Sequence, residues 1–255
     1  MAIPKGQPAG GGTAADDEQP PTTTDTNREP HADSNSEPGS GSDTHTDTGT
    51  ITASSGPRRP THGPRERMVF SAAQLIRREG VNATGMRDVA THAQAPRGSL
   101  QHYFPGGKEQ LVNEAVTWAG RYAARRIARF LAAMPEEPTP SLLFAAMVRQ
   151  WTDEFEAVGF APGCPVAAAT VDCAESTAST REAAAAAFAT WNVPVAQALT
   201  SMGVPPVQSS SLATLMISSL EGAILISRAE QNIRALTTVA QELGPLLDGC
   251  VVAHP

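Results

Sequence analysis

Residues 84–111 contain two short helical segments that are separated by a tight turn and followed at once by the start of a longer helix. Thr84 can cap the first segment through its side-chain oxygen, and the small Ala90 permits the next helix to cross closely. Pro96 suits the first turn of the second segment, which is predicted to extend to about Tyr103. This layout is that of a helix-turn-helix, so the sequence predicts a DNA-binding module.

The outward face of the second segment carries polar side chains of the types that reach phosphates and base edges. Gln101 and His102 are predicted to contact bases, and a glutamine amide can pair with adenine through two hydrogen bonds. Lys108 opens the following helix after two glycines, so its ammonium group and the free backbone amides there are predicted to hold one phosphate. The predicted DNA-binding residues are Thr84, Arg87, Arg97, Gly98, Ser99, Gln101, His102, Tyr103 and Lys108.

The distribution of charge indicates the same module. The chain has a net charge of −7, but residues 65–130 contain eleven Arg and Lys against five Asp and Glu. Residues 1–64 and 131–255 are both acidic, with local charges of −5 and −8. A cationic surface confined to one block suits contact with the phosphate backbone of DNA. Within that block, three arginines at a spacing of four are better interpreted as a solvated helix face, namely Arg121, Arg125 and Arg129.

The first 64 residues are predicted to be a disordered acidic tail. They contain no Leu, Val, Phe, Trp or Tyr, and such a segment cannot bury enough apolar surface to offset its ordering entropy. After the tail, residues 65–79 place apolar side chains at helical spacing, and Gly80 can end that helix in a left-handed conformation. Folded structure is therefore expected to begin near Arg65.

The segment of residues 65–118 resembles the N-terminal domain of the tetracycline-repressor (TetR) family. The phrase APRGSLQHYFPGGKEQL is more particularly similar to the LmrA/YxaF-like branch, as is the GCPV motif at residues 163–166. The resemblance implies an all-α fold, with the DNA-binding domain at 65–118 and a helical ligand-binding and dimerisation domain at 119–255. Two residues depart from the family pattern: Gln94 stands in the turn where Gly is usual, and Gln101 stands where Tyr is usual. A left-handed Gln94 would cost about 1 kcal/mol.

Beyond the module the sequence predicts helices and no convincing strand. One apolar stripe at a spacing of four is formed by Leu143, Met147, Trp151 and Phe155. The predicted helices cover residues 109–134, 141–158, 163–172, 179–202, 206–230 and 233–247. A helical domain of this length can enclose both a core and a cavity.

The helix at residues 206–230 mixes large apolar residues with serine and glycine, which permits close packing against another helix. We interpret it as a dimer face, mainly because of the resemblance, with packing inside one chain as the alternative. Its apolar members are Leu212, Leu215, Met216, Ile224 and Leu225, and its small members are Ser218, Ser219 and Gly222.

The resemblance also implies a ligand cavity in the second domain, and aromatic residues are distributed so that they could line it. Each aromatic residue taken alone is more typical of core packing. Few charges lie among these residues in the sequence, so a hydrophobic or aromatic small molecule is expected rather than an anion. The predicted ligand-binding residues are Trp118, Tyr122, Trp151, Phe155, Phe188 and Trp191.

These features together predict a cytoplasmic, homodimeric, ligand-responsive transcriptional regulator. It is expected to be a repressor that a small hydrophobic or aromatic inducer releases from a palindromic double-stranded DNA operator. The long helix that starts near residue 109 belongs to both domains, so it is expected to transmit the ligand signal.

Other classes of protein find less support. The three cysteines fit neither a zinc site nor a secreted disulfide framework, and they suit a reducing cytoplasm. No catalytic constellation, metal site or cofactor motif is recognisable, so the chain is not expected to be an enzyme. The leading alternative is a thiol-dependent redox sensor or enzyme that uses Cys164. A docking platform for another protein, built on the acidic tail, is a further alternative.

Overall fold

The computed structural model describes residues 63–96 and 98–252, and these residues form nine α-helices and no strand. The expected all-α fold is therefore confirmed. The predicted tail at residues 1–64 lies outside the described residues apart from its last two, and Arg97 also lies outside them. The helices are α1 Pro64–Ala83, α2 Met86–His92, α3 Ser99–Tyr103, α4 Gly107–Ala132, α5 Pro140–Val158, α6 Pro165–Cys173, α7 Ala178–Ser201, α8 Pro206–Glu230 and α9 Arg234–Asp248.

Helices α1, α2 and α3 and the beginning of α4 pack around one small apolar core. Met68 and Ile76 from α1 and Val89 from α2 have no exposed surface. Leu100 and Phe104 close the core from the side of α3, as the sequence predicts for its inner face. Burial of these side chains orients the short helix α3, because a helix of five residues has little stability of its own.

The end of α1 differs from the sequence prediction. The chain stays helical as far as Ala83, with a kink at Gly80, where φ is 83° and ψ is 171°. This combination is essentially restricted to glycine. It brings the Thr84 hydroxyl to the Gly80 carbonyl oxygen, to which it donates at 2.7 Å. The prediction that Thr84 caps the next helix is wrong, because α2 has Gly85 at its N-cap and no side-chain cap.

Helix α3 is also shorter than predicted. Helix α3 begins at Ser99 and not at Pro96, because the Ser99 amide and hydroxyl both donate to the Pro96 carbonyl oxygen in a preceding turn, at 3.0 and 2.5 Å. Gln94 has a φ of 50°. Gln94, which stands where the family usually has Gly, therefore adopts the left-handed conformation.

Helices α4 to α9 pack into a larger helical bundle, and α4 also packs on α1. All four members of the α5 stripe are buried, as predicted. Gly120 of α4 lies against Ala187 of α7, where a Cβ atom on Gly120 would meet the Ala187 Cα and Cβ atoms at 2.8 Å. The two helices therefore cross without a side chain between them.

The residues of α8 that the sequence assigns to a dimer face lie on two different sides of the helix, one buried and one exposed. Met216 and Ile224 are buried in the core of the same chain, so their assignment to that face is wrong. Leu215 and Leu225 are about half exposed, at 45% and 52%, and a Cβ atom on Gly222 would meet open space. By length and mean hydropathy, 1.4, α8 is also the one helix of the described residues that could cross a membrane, but its inner side packs on α7 and α9.

Candidate functional site

Two features of the described structure could carry function, an exposed face on α3 and a cavity among α1, α4 and α5. On the first, Gln101 and His102 are exposed and Tyr103 is half-buried. The His102 and Tyr103 rings meet edge to face with centroids 5.1 Å apart. The amide of Gln101 and the imidazole of His102 are accessible to a duplex, in agreement with their predicted orientation.

The start of α4 differs from its predicted role. The amides of Gly106 and Gly107 both donate to protein acceptors, the Gln110 side chain at 2.9 Å and the Phe104 carbonyl at 2.9 Å. These two amides are therefore not among the free amides expected at the start of this helix. The Lys108 ammonium reaches the Asn82 carbonyl oxygen at 3.3 Å, and two of its protons stay available to another acceptor.

The remaining predicted DNA-binding residues divide by exposure. Arg87 is exposed on α2, Gly98 is the exposed residue before α3, and Ser99 is half-buried. Thr84 is only 4% exposed and its hydroxyl is bound to Gly80, so its placement among the DNA contacts is also wrong. Nothing in the described structure bears on Arg97.

A cavity of about 400 Å³ opens between α1, α4 and α5 and extends to the start of α6, to α7 and to α8. Four of the six predicted ligand-binding residues line it, namely Trp118, Tyr122, Trp151 and Trp191. The other two predictions are wrong. Phe155 is buried in the core behind Trp151, and Phe188 stacks on Trp191 outside the cavity wall, with ring centroids 6.4 Å apart.

The aromatic walls of the cavity are in mutual contact. Phe70 of α1 meets Trp118 edge to face at 5.4 Å, and Trp118 stacks on Tyr122 at 5.2 Å with an interplanar angle of 14°. Contacting rings hold one another in position, so this wall offers a preformed surface to a planar apolar group.

Several polar residues also line the cavity, and the sequence interpretation did not include them. Gln74 and Arg77 come from α1, Arg126 from α4, and Gln150 and Glu154 from α5. The positions of Phe70, Gln74 and Arg77 at i, i+4 and i+7 could have indicated a second functional face on α1. Their convergence with α5 could not be read locally, because Arg77 and Glu154 are 77 residues apart in the chain.

Arg77 joins α1 to α5 and to the turn before α6 through its backbone and its side chain. Its guanidinium forms an ion pair with Glu154 at 2.8 Å, donates to the Gly163 carbonyl oxygen at 2.8 Å and lies 5.3 Å from the centre of the Trp151 ring. The Gly163 amide donates back to the Arg77 carbonyl oxygen at 2.8 Å. We call this set of contacts the Arg77 junction.

A second connection lies one turn further along α1. The Asp172 carboxylate of α6 accepts from the backbone amides of Val81 and Asn82, at 2.6 and 3.3 Å. A Cβ atom on Gly80 would approach the same carboxylate to 2.6 Å. Helix α6 therefore holds the kinked end of α1, from which α2 and α3 follow.

Cys164 and Glu221 form the most perturbed titratable pair of the described residues. Burial raises the pKa of the Glu221 carboxyl group to about 7, and both of its oxygens are shielded from solvent. The Cys164 thiol lies against this carboxyl group, which otherwise has no hydrogen-bond partner in the described structure. Burial, and secondarily the charge of Glu221, raises the pKa of the Cys164 thiol well above its usual range. The thiol therefore stays protonated and weakly nucleophilic.

Comparison with known proteins agrees with this architecture. A family model described as bacterial regulatory proteins, tetR family, matches residues 71–115. A second model, described as transcriptional regulator LmrA/YxaF-like, C-terminal domain, matches residues 140–242. Together the two models match more than half of the chain.

Individual relatives extend the match. The uncharacterized HTH-type transcriptional regulator Rv0196 of Mycobacterium tuberculosis is 41% identical over 191 residues, which cover 72% of this chain and 94% of that protein. The HTH-type transcriptional regulator LmrA of Bacillus subtilis is 27% identical over 183 residues, which cover 72% of this chain and 96% of LmrA.

Solved structures show the same fold. A TetR transcriptional regulator from Legionella pneumophila superposes with a TM-score of 0.64 at 20% identity, covering 73% of this chain and 98% of that one. Reduced NemR of E. coli gives a TM-score of 0.62 at 19% identity, covering 76% and 99%. The chain therefore belongs to the LmrA/YxaF-like branch of the TetR family of helix-turn-helix transcriptional regulators.

Proposed function

We propose that this regulator is a homodimeric repressor that leaves its operator when a small aromatic molecule enters the cavity of about 400 Å³. One observation carries the proposal: α1 belongs to the DNA-binding module and also supplies part of the cavity wall, through Phe70, Gln74 and Arg77. A ligand in the cavity touches the module directly. The target is chromosomal DNA, so the protein is placed in the cytoplasm.

The ligand acts by favouring one arrangement of the two DNA-binding modules over another. A ligand shifts such an equilibrium only by its difference in affinity for the two states. The Arg77 junction supplies that difference, because a ligand that contacts Arg77 or Glu154 competes with the contacts that hold α1 against α5 and the Gly163 turn. Helix α4, which carries Trp118 and Tyr122 and packs on α1, moves with it.

The Arg77→Met variant tests this route. We expect it to weaken operator binding even without ligand, because it removes the contacts that the ligand is proposed to disrupt. We also expect it to lose most of the ligand response, so that a compound that releases the normal protein lowers operator affinity at least about fivefold less in the variant. Arg78→Met is the matched control, because the neighbouring Arg78 side chain is exposed and does not line the cavity. Fluorescence anisotropy of a labelled operator, with and without the compound, measures both variants. An unchanged ligand response in Arg77→Met would contradict the route.

Dimerisation is proposed through the exposed side of α8 together with α9. Leu215, Leu225 and Ile226 are 45–52% exposed on α8, and Leu246 of α9 is 66% exposed. Exposed apolar residues grouped on neighbouring helices are typical of a protein interface. One copy of α3 is too short to contact more than a few base pairs. A dimer contacts more of them, because its two copies read two half-sites of a near-palindrome.

DNA reading is proposed for Gln101 and His102 at base edges. Arg87, Gly98, Ser99, Tyr103 and Lys108, and from the sequence alone Arg97, are proposed to contact the phosphate backbone. The members of this set that the structure describes lie on or next to α2, α3 and the start of α4.

The Gln101→Ala variant should bind about tenfold more weakly than the normal protein to operators that carry the base contacted by Gln101. At operators in which that base is replaced, the two proteins should bind with similar affinity. The reason is that the loss of a base contact removes discrimination at one base pair. Lys108→Ala is the matched comparison, because loss of a phosphate contact weakens all sequences and makes the salt dependence shallower by about one unit. Competition binding with a set of single-base operator variants separates the two. Uniform weakening by Gln101→Ala would refute base reading.

The structure of the cysteines weighs against the alternative of a thiol-dependent sensor or enzyme. A reactive cysteine requires a lowered pKa and access to solvent, whereas Cys164 is 9% exposed and its thiol pKa is raised. Burial also raises the pKa of the Cys173 thiol, and the charge of Asp172 adds to that effect. The described residues contain no group of three His, Cys, Asp or Glu side chains suited to a metal ion.

A further inference from the structure

The charges in the cavity wall are not balanced. Of its two arginines, Arg77 is neutralised by Glu154 at 2.8 Å. Arg126 lines the same cavity, and no carboxylate of the described residues forms an ion pair with it. The expectation of few charges among the aromatic residues is therefore wrong for the assembled cavity, which carries one uncompensated positive charge on its wall.

Arg126 is held in place although it is not neutralised. One of its nitrogens donates to the Tyr122 hydroxyl at 3.1 Å, and its guanidinium carbon lies 5.8 Å from the centre of the Tyr122 ring and 5.5 Å from that of Phe130. A guanidinium group has five N–H donors in a planar fork, and only one hydrogen bond occupies it within the described structure. Contacts with the ring faces leave the edge of the fork available to a planar acceptor.

Two further polar groups face the same space. Gln74 of α1 and Gln150 of α5 line the cavity, and neither side chain has a hydrogen-bond partner among the described residues. Each amide can donate and accept. The wall thus combines stacked rings, one arginine without a counter-ion and two uncommitted amides, a pattern typical of a specific small-molecule site.

We propose that the regulatory ligand is an aromatic carboxylate, bound with its carboxylate on the Arg126 guanidinium and its rings along Trp118 and Tyr122. The inference rests on the proposed function, because it takes this cavity to be the regulatory site. Bidentate pairing with arginine is the strongest common arrangement for a carboxylate, and in this partly apolar cavity it supplies the counter-charge that the protein lacks. The Gln74 and Gln150 amides bind further polar atoms of the ligand.

Three probes with the same naphthalene ring and different charge test the ligand class. Isothermal titration calorimetry of the full chain is performed with 2-naphthoate, neutral 2-naphthamide and cationic 2-naphthylmethylammonium. We expect 2-naphthoate to bind about ten- to a hundredfold more tightly than 2-naphthamide, because it adds a charge-assisted hydrogen-bond pair. The proposal would be overturned by equal affinities of 2-naphthoate and 2-naphthamide or by no binding of any probe. It would also be overturned by tighter binding of the cation, which a site on the Glu221 carboxyl group would give.

Substitutions then assign the effect to Arg126. Arg126→Gln should remove the preference for 2-naphthoate over 2-naphthamide, and Arg126→Lys should restore part of it because it keeps the charge. Arg129→Gln is the matched control, since Arg129 is exposed on the same helix and does not line the cavity. Because Arg126 packs on two rings, thermal unfolding of each variant is measured in parallel, and binding is compared below the lowest melting temperature. A preserved preference in Arg126→Gln would contradict the assignment.

Failure of the ligand class is distinguishable from failure of the proposed function. Anisotropy of a labelled operator is measured with each probe. If 2-naphthamide binds as tightly as 2-naphthoate and releases the operator, the cavity is regulatory and the carboxylate assignment is wrong. If 2-naphthoate binds tightly through Arg126 and the operator complex is unaffected, the binding site stands and its regulatory role fails.

Discussion

Replacing Gly120 with valine should lower the free energy of unfolding by at least about 3 kcal/mol. Already the Cβ atom would meet the Ala187 Cα and Cβ atoms at 2.8 Å and its carbonyl oxygen at 3.0 Å. Two of these atoms belong to the backbone of α7, which cannot rotate away as a flexible side chain can. Helices α4 and α7 must therefore separate, and the core residues between them lose contact. Chemical denaturation at a fixed protein concentration, with circular dichroism as the readout, measures the change.

A graded series makes this prediction specific. Gly120→Ala should fall between the normal protein and Gly120→Val, because it adds one carbon at the same close contact. Gly244→Ala is the matched control, since Gly244 also lies inside a helix and its added Cβ would meet Ser141 at an ordinary 3.4 Å. We expect the control to change stability by less than about 1 kcal/mol, because the helix preference of alanine is offset by its Cβ atom standing before Pro245. Equal effects of Gly120→Ala and Gly244→Ala would show that α4 and α7 do not cross closely.

Glu221 should make the protein less stable as the pH rises. Its pKa is about 7 in the folded chain and near 4.5 in the unfolded chain, since burial disfavours the charged carboxylate. Between these values the folded state binds more protons, so the free energy of unfolding falls with increasing pH, and the loss is complete above about pH 7. Between pH 5 and pH 8 this group should remove about 2 to 3 kcal/mol per chain. The Cys164 thiol stays neutral throughout this range.

The Glu221→Gln variant isolates that contribution. Its side chain does not titrate, so its free energy of unfolding relative to the normal protein should improve by about 2 to 3 kcal/mol from pH 5 to pH 8. Glu242→Gln is the control, because Glu242 is an exposed carboxylate on α9. Urea denaturation at a series of pH values and constant protein concentration provides the comparison. Parallel stability curves for Glu221→Gln and the normal protein would contradict burial of an unpaired carboxyl group.

Much of the fold could be predicted because proline and glycine mark the ends of the helices. Helix α8 has the predicted bounds, and most of the other helices differ by one to three residues at an end. The larger differences have local causes that depend on backbone conformation. Gly80 adopts a conformation that redirects Thr84, and Pro96 stays in a turn before α3. Neither outcome follows from the helix propensities of these residues alone.

The cavity was only partly predictable. Trp118 and Trp151 could be selected as large aromatic residues, but periodicity does not distinguish them from Phe155, which turns into the core. The polar members depend on contacts between residues distant in sequence, such as the bond between Arg77 and Gly163, which are 86 residues apart. The raised pKa of Glu221 likewise depends on burial of its carboxyl group in the folded chain, and a local pattern does not encode such burial.

Binding of the full chain to DNA fragments selected from its own genome tests the central claim most directly. Nuclease footprinting and anisotropy should give a two-fold symmetric protected site, an affinity that falls steeply and linearly with the logarithm of salt concentration, and a dimer on each site. The same complexes should dissociate when 2-naphthoate occupies the cavity. A monomer with no salt-dependent attraction to duplex DNA would contradict the account.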